Sequence, residues 1–259
     1  MNLKYIKHHV SDKVAWVRFD RPKKLNAVNT DVLKELETAL IGCEDDAKTR
    51  VVVLTGNEKA FVAGADVGAM AGSGIADAFS LTNLTRRVQE RLADLPKPTI
   101  AAISGFALGA GCEIALCCDF RIAADNAVLG LPEITLGIIP DGGGTQRLPR
   151  LINPAVAARM ILLGETVKAA EARQIGLVDA VVETARLTEE AESLATRLAG
   201  MPAMAVRAAK TALRKGLNVS LKDGLQIEQD LFCMLFGTRG QKEGMKAFME
   251  KRKPVYSGR

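Results

Sequence analysis

The chain has 259 residues, of which 48% are hydrophobic and only 4% aromatic, with a formal net charge of +5. That apolar share supports a real core and excludes a disordered chain, while so few rings argue against an aromatic platform for stacking nucleic-acid bases. The charge is modest for this length; it suits a small phosphate-bearing ligand, weak nucleic-acid contact, or no more than an ordinary surface imbalance.

From the N-terminus, Met1-Asn2-Leu3-Lys4-Tyr5-Ile6 soon turns polar, which does not read as a signal peptide, and no apolar run reaches membrane-spanning length. Val14–Phe19 reads as a strand, ended by Asp20-Arg21-Pro22. Asn29-Thr30-Asp31 then supplies a helix cap and a first-turn acid, and Val32, Leu33, Leu36, Leu40 and Ile41 follow at helical spacing. Val51–Thr55 is a continuous apolar run, as a strand buried on both faces requires. A helix is expected over 81–95, stopped by Pro96-Lys97-Pro98, with strands after it at Thr99–Ile103 and Phe120-Arg121-Ile122-Ala123. The alternation of strand and helix to about residue 185 predicts an α/β fold with right-handed crossovers and a largely parallel sheet. Beyond Thr184 the pattern is helical only, near 188–200, 203–215, 220–236 and 240–251. This divides the chain into a core over 1–195 and a helical region over 196–259. Leu225, Ile227, Leu231, Phe232, Met234, Leu235 and Phe236 give that region more apolar surface than an exposed helix needs, for packing on the core or for a subunit interface.

Two small-residue turns have the makings of a ligand site. Leu108-Gly109-Ala110-Gly111-Cys112-Glu113 joins a strand to a helix, whose first N–H groups lack internal partners and carry partial positive charge, as a developing oxyanion requires. Ala63-Gly64-Ala65-Asp66 can offer a second donor; either turn could equally serve packing. Glu113 and Glu133 both lie among apolar neighbours, where a carboxyl tends toward a raised pKa and suits proton transfer. Alone, each also reads as a first-turn acid or a residue after a turn proline.

Other chemistries find little support. His8 and His9 are the only histidines and stand in no motif; no acid or cysteine cluster has ligand spacing, and no Walker loop occurs. Cys43, Cys112, Cys117, Cys118 and Cys233 form no Cys-x-x-Cys and read as reduced residues of a soluble cytoplasmic protein, an organelle matrix being the alternative. Arg86, Arg87 and Arg91 on one helix read as a solvated face, or as phosphate contacts for RNA.

Several blocks together resemble the enoyl-CoA hydratase/isomerase (crotonase) superfamily over nearly the whole chain. They are Arg21-Pro22-Lys23-Lys24-Leu25-Asn26-Ala27, Lys59-Ala60-Phe61-Val62-Ala63-Gly64-Ala65-Asp66, the stretch 105–113, Pro132-Glu133-Ile134-Thr135-Leu136-Gly137, Gly142-Gly143-Gly144-Thr145-Gln146-Arg147-Leu148 and Ala169-Ala170-Glu171-Ala172. The resemblance implies a spiral of ββα units with a helical C-terminal trimerisation region, assembled as a homotrimer or a dimer of trimers (a homohexamer). It implies an acyl-CoA thioester substrate and no metal or redox cofactor. It implies oxyanion donors at the N–H groups of Ala65 and Ala110; Ala110 is Gly in many relatives, yet a backbone donor serves either way. It further implies CoA contacts at Lys24, Leu25, Ala27 and Ala63, completed by Phe248 and Lys251 of a neighbouring subunit. Hydratases of the family pair glutamates at the positions of Glu113 and Glu133, which points to hydration of a 2-enoyl-CoA, as in fatty-acid β-oxidation. A double-bond isomerase is the alternative, and an RNA-binding member a more distant one. Asp141 stands where many hydratases have glycine, as a third active-site carboxylate or as a plain turn residue.

Overall fold

The computed structural model describes residues 3–256. Strands β1 (Ile6–Ser11) and β2 (Val14–Phe19) form an antiparallel hairpin. Its two-residue turn places Asp12 and Lys13 at φ of 46° and 71°, the left-handed conformation that matches the twist of the flanking strands. β1 is a mostly exposed edge strand, so it lacks the buried alternation by which a strand is recognised.

From β2 the larger sheet continues in parallel through β3 (Val51–Thr55), β5 (Thr99–Ile103), β7 (Phe120–Ala124) and β10 (Ala180–Val182). A second sheet, which the alternation of elements did not announce, has four strands of three residues each. β4 (Ala60–Val62), β6 (Phe106–Leu108) and β8 (Val128–Gly130) run parallel, and β9 (Thr166–Lys168) pairs antiparallel with β8. Three of the long strands, β3, β5 and β7, therefore turn into a short one and then into a helix. β3 and β4 lead through the short α2 (Val67–Met70) to α3 (Ile75–Asp94), and β5 and β6 lead to α4 (Ala110–Cys117). β7 and β8 lead through a 3-10 turn, Pro132–Leu136, to α5 (Gly144–Leu151). This is the repeated ββα plan that the resemblance implies.

α1 (Thr30–Asp45) starts where expected, with Asn29 Oδ1 accepting from the N–H of Val32 at 3.0 Å. α3 begins six residues before position 81, because 75–80 are solvent-exposed on every side and leave no apolar period to read. One face of the larger sheet packs Phe19, Leu36, Leu40, Leu54, Ile103 and Ile114 into the main core. The other face packs Val51, Val53, Ile100 and Ile122 against Leu187, Ala191 and Ala195 of α8 (Leu187–Ala199), so the central strands are apolar throughout. Residues 195 and 196, where the sequence divided the chain, both lie inside α8.

α6 (Pro154–Leu162) and α7 (Ala169–Gln174) flank β9. The chain ends in α9 (Ala203–Gly216), α10 (Leu221–Leu235) and α11 (Arg239–Met249). α9 is pinned to the core by Lys210 Nζ and Arg214 Nη2, which reach Asp119 at 2.7 and 3.2 Å. α10 leaves Leu221, Phe232 and Met234 exposed. On α3, Arg86, Arg87 and Arg91 pair with Glu90, Glu37 and Glu44, which engages their charge within the protein. Cys43, Cys112, Cys117 and Cys118 are buried free thiols, and Cys233 is an exposed one. Among the described residues no helix is long and apolar enough to cross a membrane.

Candidate active site

The second sheet explains why distant motifs meet. β4, β6 and β8 are parallel neighbours, so the segments leaving their C-terminal ends emerge side by side. Those segments are Ala63-Gly64-Ala65-Asp66, Gly109-Ala110 and Leu131-Pro132-Glu133. Gly109 N–H donates to Gly130 O at 2.9 Å, joining two of them. Gly109 has φ of 50°, and a Cβ there would lie 3.7 Å from Gly64 Cα and 2.9 Å from Glu133 Oε1. The three segments thus adjoin at one glycine, where a Cβ would press on the Glu133 carboxylate.

Two N–H groups are left available beside this point. Val28 N–H donates to Gly64 O and Val28 O accepts from Asp66 N–H, both at 2.8 Å, so the N–H of the intervening Ala65 faces away from Val28. Ala110 opens α4, and its N–H belongs to the first turn that a helix leaves without internal partners.

Glu113 sits in the first turn of α4 and is 1% exposed. Its Oε1 accepts from the N–H groups of Gly142 and Gly144, each at 2.8 Å, while its buried Oε2 has no partner. Burial pushes its carboxyl up to about 8, against the pull of the Gly144 and Gly142 N–H groups and with the nearby charges of Asp141 and Glu133 adding to the rise. Glu133, in the 3-10 turn, is half-buried and also has a buried Oε2 without a partner. Burial raises it above the usual carboxylate range, as does the charge of Asp141. Desolvation of its carboxyl raises Asp141 as well, although the residue as a whole is exposed. The three carboxyls share one electrostatic neighbourhood.

Beside this cluster runs the loop 21–28. Leu25 and Asn26 both take left-handed φ, 48° and 60°. Asn26 is buried; its Nδ2 donates to Ala60 O and Phe61 O at 2.8 and 3.1 Å, and its Oδ1 accepts from Arg21 N–H at 2.9 Å. Ala63 N–H donates to Leu25 O at 3.1 Å, and Arg21 Nη1 reaches Asp66 Oδ2 at 2.8 Å. These bonds bring Lys24, Leu25 and Ala27 to the side of Ala63, with Lys24 and Leu25 exposed. Phe248 is 85% exposed on α11, Lys251 follows that helix, and α11 packs on α9. The sequence alone assigns no role to Arg21, Asn26 or the Gly142 and Gly144 N–H groups. Their signals are an arginine and an asparagine in a turn motif and a run of three glycines.

The enoyl-CoA hydratase/isomerase family model matches residues 9–259. A crotonyl-CoA hydratase of Syntrophomonas wolfei is 43% identical, over 93% of this chain and 94% of that protein. A short-chain-enoyl-CoA hydratase of Clostridium acetobutylicum is 44% identical, over 93% of each. The crystal structure of an enoyl-CoA hydratase from Bacillus anthracis superposes with a TM-score of 0.95 at 42% identity, covering 99% of this chain and 100% of that one. With the ββα plan and the clustered motifs already in place, the chain belongs to the enoyl-CoA hydratase/isomerase family.

Proposed function

We propose that this protein is a 2-enoyl-CoA hydratase, adding water across the conjugated double bond to give a 3-hydroxyacyl-CoA. The observation that supports it most is the pair of glutamates, each with a buried carboxyl oxygen lacking a partner, beside two available backbone N–H groups. The names of the relatives above point to the same reaction.

The thioester oxygen accepts from the N–H groups of Ala65 and Ala110. Glu113, held through Oε1, takes a proton from water with Oε2 as the water oxygen bonds to the β-carbon. The double-bond electron pair moves toward the α-carbon and the thioester oxygen, where the two donors stabilise the charge. Glu133 then gives its proton to the α-carbon. One H and one OH have been added, and the proton gained by Glu113 replaces the one lost by Glu133 when the site re-equilibrates. Every step is a proton transfer or an addition, so the reading calls for no metal or redox cofactor.

Lys24, Leu25, Ala27 and Ala63 hold the CoA portion, and Phe248 and Lys251 contribute from a neighbouring subunit. The exposed apolar residues of α10 support self-association through region 196–259, as a homotrimer or a dimer of trimers. The same reading expects work on fatty acyl chains in the cytoplasm. An isomerase is the second reading, favoured by one observation: Asp141 shares the neighbourhood of both glutamates. Asp141→Asn separates the two, since hydration survives it if Asp141 only shapes the turn.

The test is loss of the conjugated thioester absorbance of crotonyl-CoA. The reading predicts fast loss that Glu113→Gln and Glu133→Gln each abolish while CoA still binds. Near-normal turnover in both variants overturns it.

A further inference from the structure

Behind Glu113 lies a polar residue that the apolar pattern of α3 does not call for. Leu84, Val88 and Leu92 are the buried face of that helix, and Gln89, on the same face, is only 1% exposed. Its Oε1 lies 3.8 Å from Cys117 Sγ, which donates to it, and its Nε2 is buried without a partner. Cys117 is one helical turn beyond Glu113 on α4.

The other side of Gln89 faces the turn that holds Glu113. A Cβ at Gly142 would collide with the Gln89 carboxamide, and one at Gly143, where φ is 100°, would collide with the Arg147 guanidinium. A Cβ at Gly144 would sit 2.8 Å from Leu131 Cδ1 and 3.0 Å from Glu113 Oε1. Arg147 Nη1 also donates to Gly142 O at 2.9 Å. Each of three successive glycines is therefore pressed by a different side chain, and two of the three donate to Glu113 Oε1.

We infer that Gln89 is a positioning residue for Glu113, a wedge between α4 and the Gly142–Gly144 turn that fixes how closely the two N–H donors approach the carboxylate. This deepens the hydratase reading and rests on it. Gln89 fills the core side toward which Gly142 could retreat, while Arg147 braces the turn from elsewhere. Shrinking the wedge loosens both hydrogen bonds to Oε1 at once, and leaves the CoA loop at 21–28 untouched.

The experiment compares Gln89→Ala, Gln89→Met and Arg147→Met with the parent protein on crotonyl-CoA, reading kcat, KM, pH profile and melting temperature. Gln89→Ala is expected to lower kcat by about 10- to 100-fold with little change in KM, since small misplacements of a reacting group cost that much. It is also expected to move the acid limb upward, because looser N–H donors favour the ionised Glu113 less. Asp141 and Glu133 act on the Glu113 carboxyl, Cys112 and Cys117 lie in its field, and Arg147 holds the turn through Gly142 O; all are unchanged in the Gln89 variants. Gln89→Met, of similar length, is expected to restore most of kcat and the original limb. A Gln89→Ala protein with unchanged kcat and limb and only a lower melting temperature overturns the inference, as does a Met variant no better than Ala. Should Gln89→Ala not fold, Arg147→Met slackens the turn at another of its braces and must show lowered kcat with a raised limb; parental behaviour overturns the wedge. Glu113→Gln is assayed alongside. If it is inactive while the Gln89 variants are normal, only the positioning role fails; if it is active, the two-glutamate reading fails first.

Discussion

Gly109 and Glu133 occupy each other's space: the site of a Cβ on Gly109 lies 2.9 Å from Glu133 Oε1. Glycine at 109 therefore does two things, adopting φ of 50° and leaving room for a carboxylate beside the start of α4. Gly109→Ala puts a side chain at φ 50° and ψ −123°, a region that glycine alone adopts readily, at about 1–3 kcal/mol, and presses on Glu133. The expected result is kcat lowered by about 100-fold with CoA affinity close to normal. Parental kcat would show that Glu133 need not lie where the structure has it.

The pH profile follows from the raised carboxyls. In the proposed mechanism Glu113 is the base and works only when ionised, and burial brings its pKa to about 8 from 4.5. The ionised fraction thus falls as pH drops through about 8, so the acid limb of kcat/KM lies far above the ordinary carboxylate range. Because Glu133 and Asp141 couple to it, the limb reports the cluster and not one residue. A limb near 4.5 would contradict the burial argument.

Burial of Glu113 also makes stability depend on pH. The folded protein holds a proton on Glu113 between pH 4.5 and about 8, whereas the unfolded chain releases it above 4.5. Glu113 therefore costs no stability below 4.5, progressively more as pH rises, and most above 8. Glu113→Gln is expected to match the parent near pH 4 and to melt higher by pH 9. Equal melting temperatures at pH 9 would contradict it.

The proposed oxyanion donor at Ala110 is tested with Ala110→Pro. Ala110 is the first residue of α4, a position that accepts proline because its N–H has no helical partner. The substitution deletes that donor and keeps the helix. The loss of one such donor corresponds to about 3–4 kcal/mol of barrier, or roughly 10²- to 10³-fold in kcat. Unaltered kcat would remove Ala110 from the proposed site.

Asn26→Ala probes the loop beside the cluster. It strips the hydrogen bonds to Ala60 O, Phe61 O and Arg21 N–H inside the core and leaves a left-handed φ of 60° without its asparagine. Destabilisation of about 2–4 kcal/mol is expected in chemical denaturation. The surviving enzyme should show a raised KM with a smaller change in kcat, since Lys24, Leu25 and Ala27 lose their support. A kcat effect alone would assign the loop to the chemistry instead.

Local chemistry was written in the sequence, and so was the family. The apolar run Val51–Thr55, the cap at Asn29 and the four C-terminal helices each rest on neighbours within a few residues, so periodicity reveals them. Glu113, Glu133, Ala65 and Ala110 stood out in the sequence as candidates because they lie in turn motifs of recognisable order. The second sheet was not, because its three-residue strands are too short to show a period. Nor was the first turn and a half of α3, whose residues face water. Only the tertiary structure decided that β4, β6 and β8 lie in parallel, that Gly109 adjoins both Gly64 and Glu133, and that Gly142 and Gly144 hold Glu113. Those relations join residues far apart in the chain through burial and backbone donors. Burial is a property of the folded whole, and it is burial that turns Glu113 from an ordinary acid into a carboxyl titrating near 8.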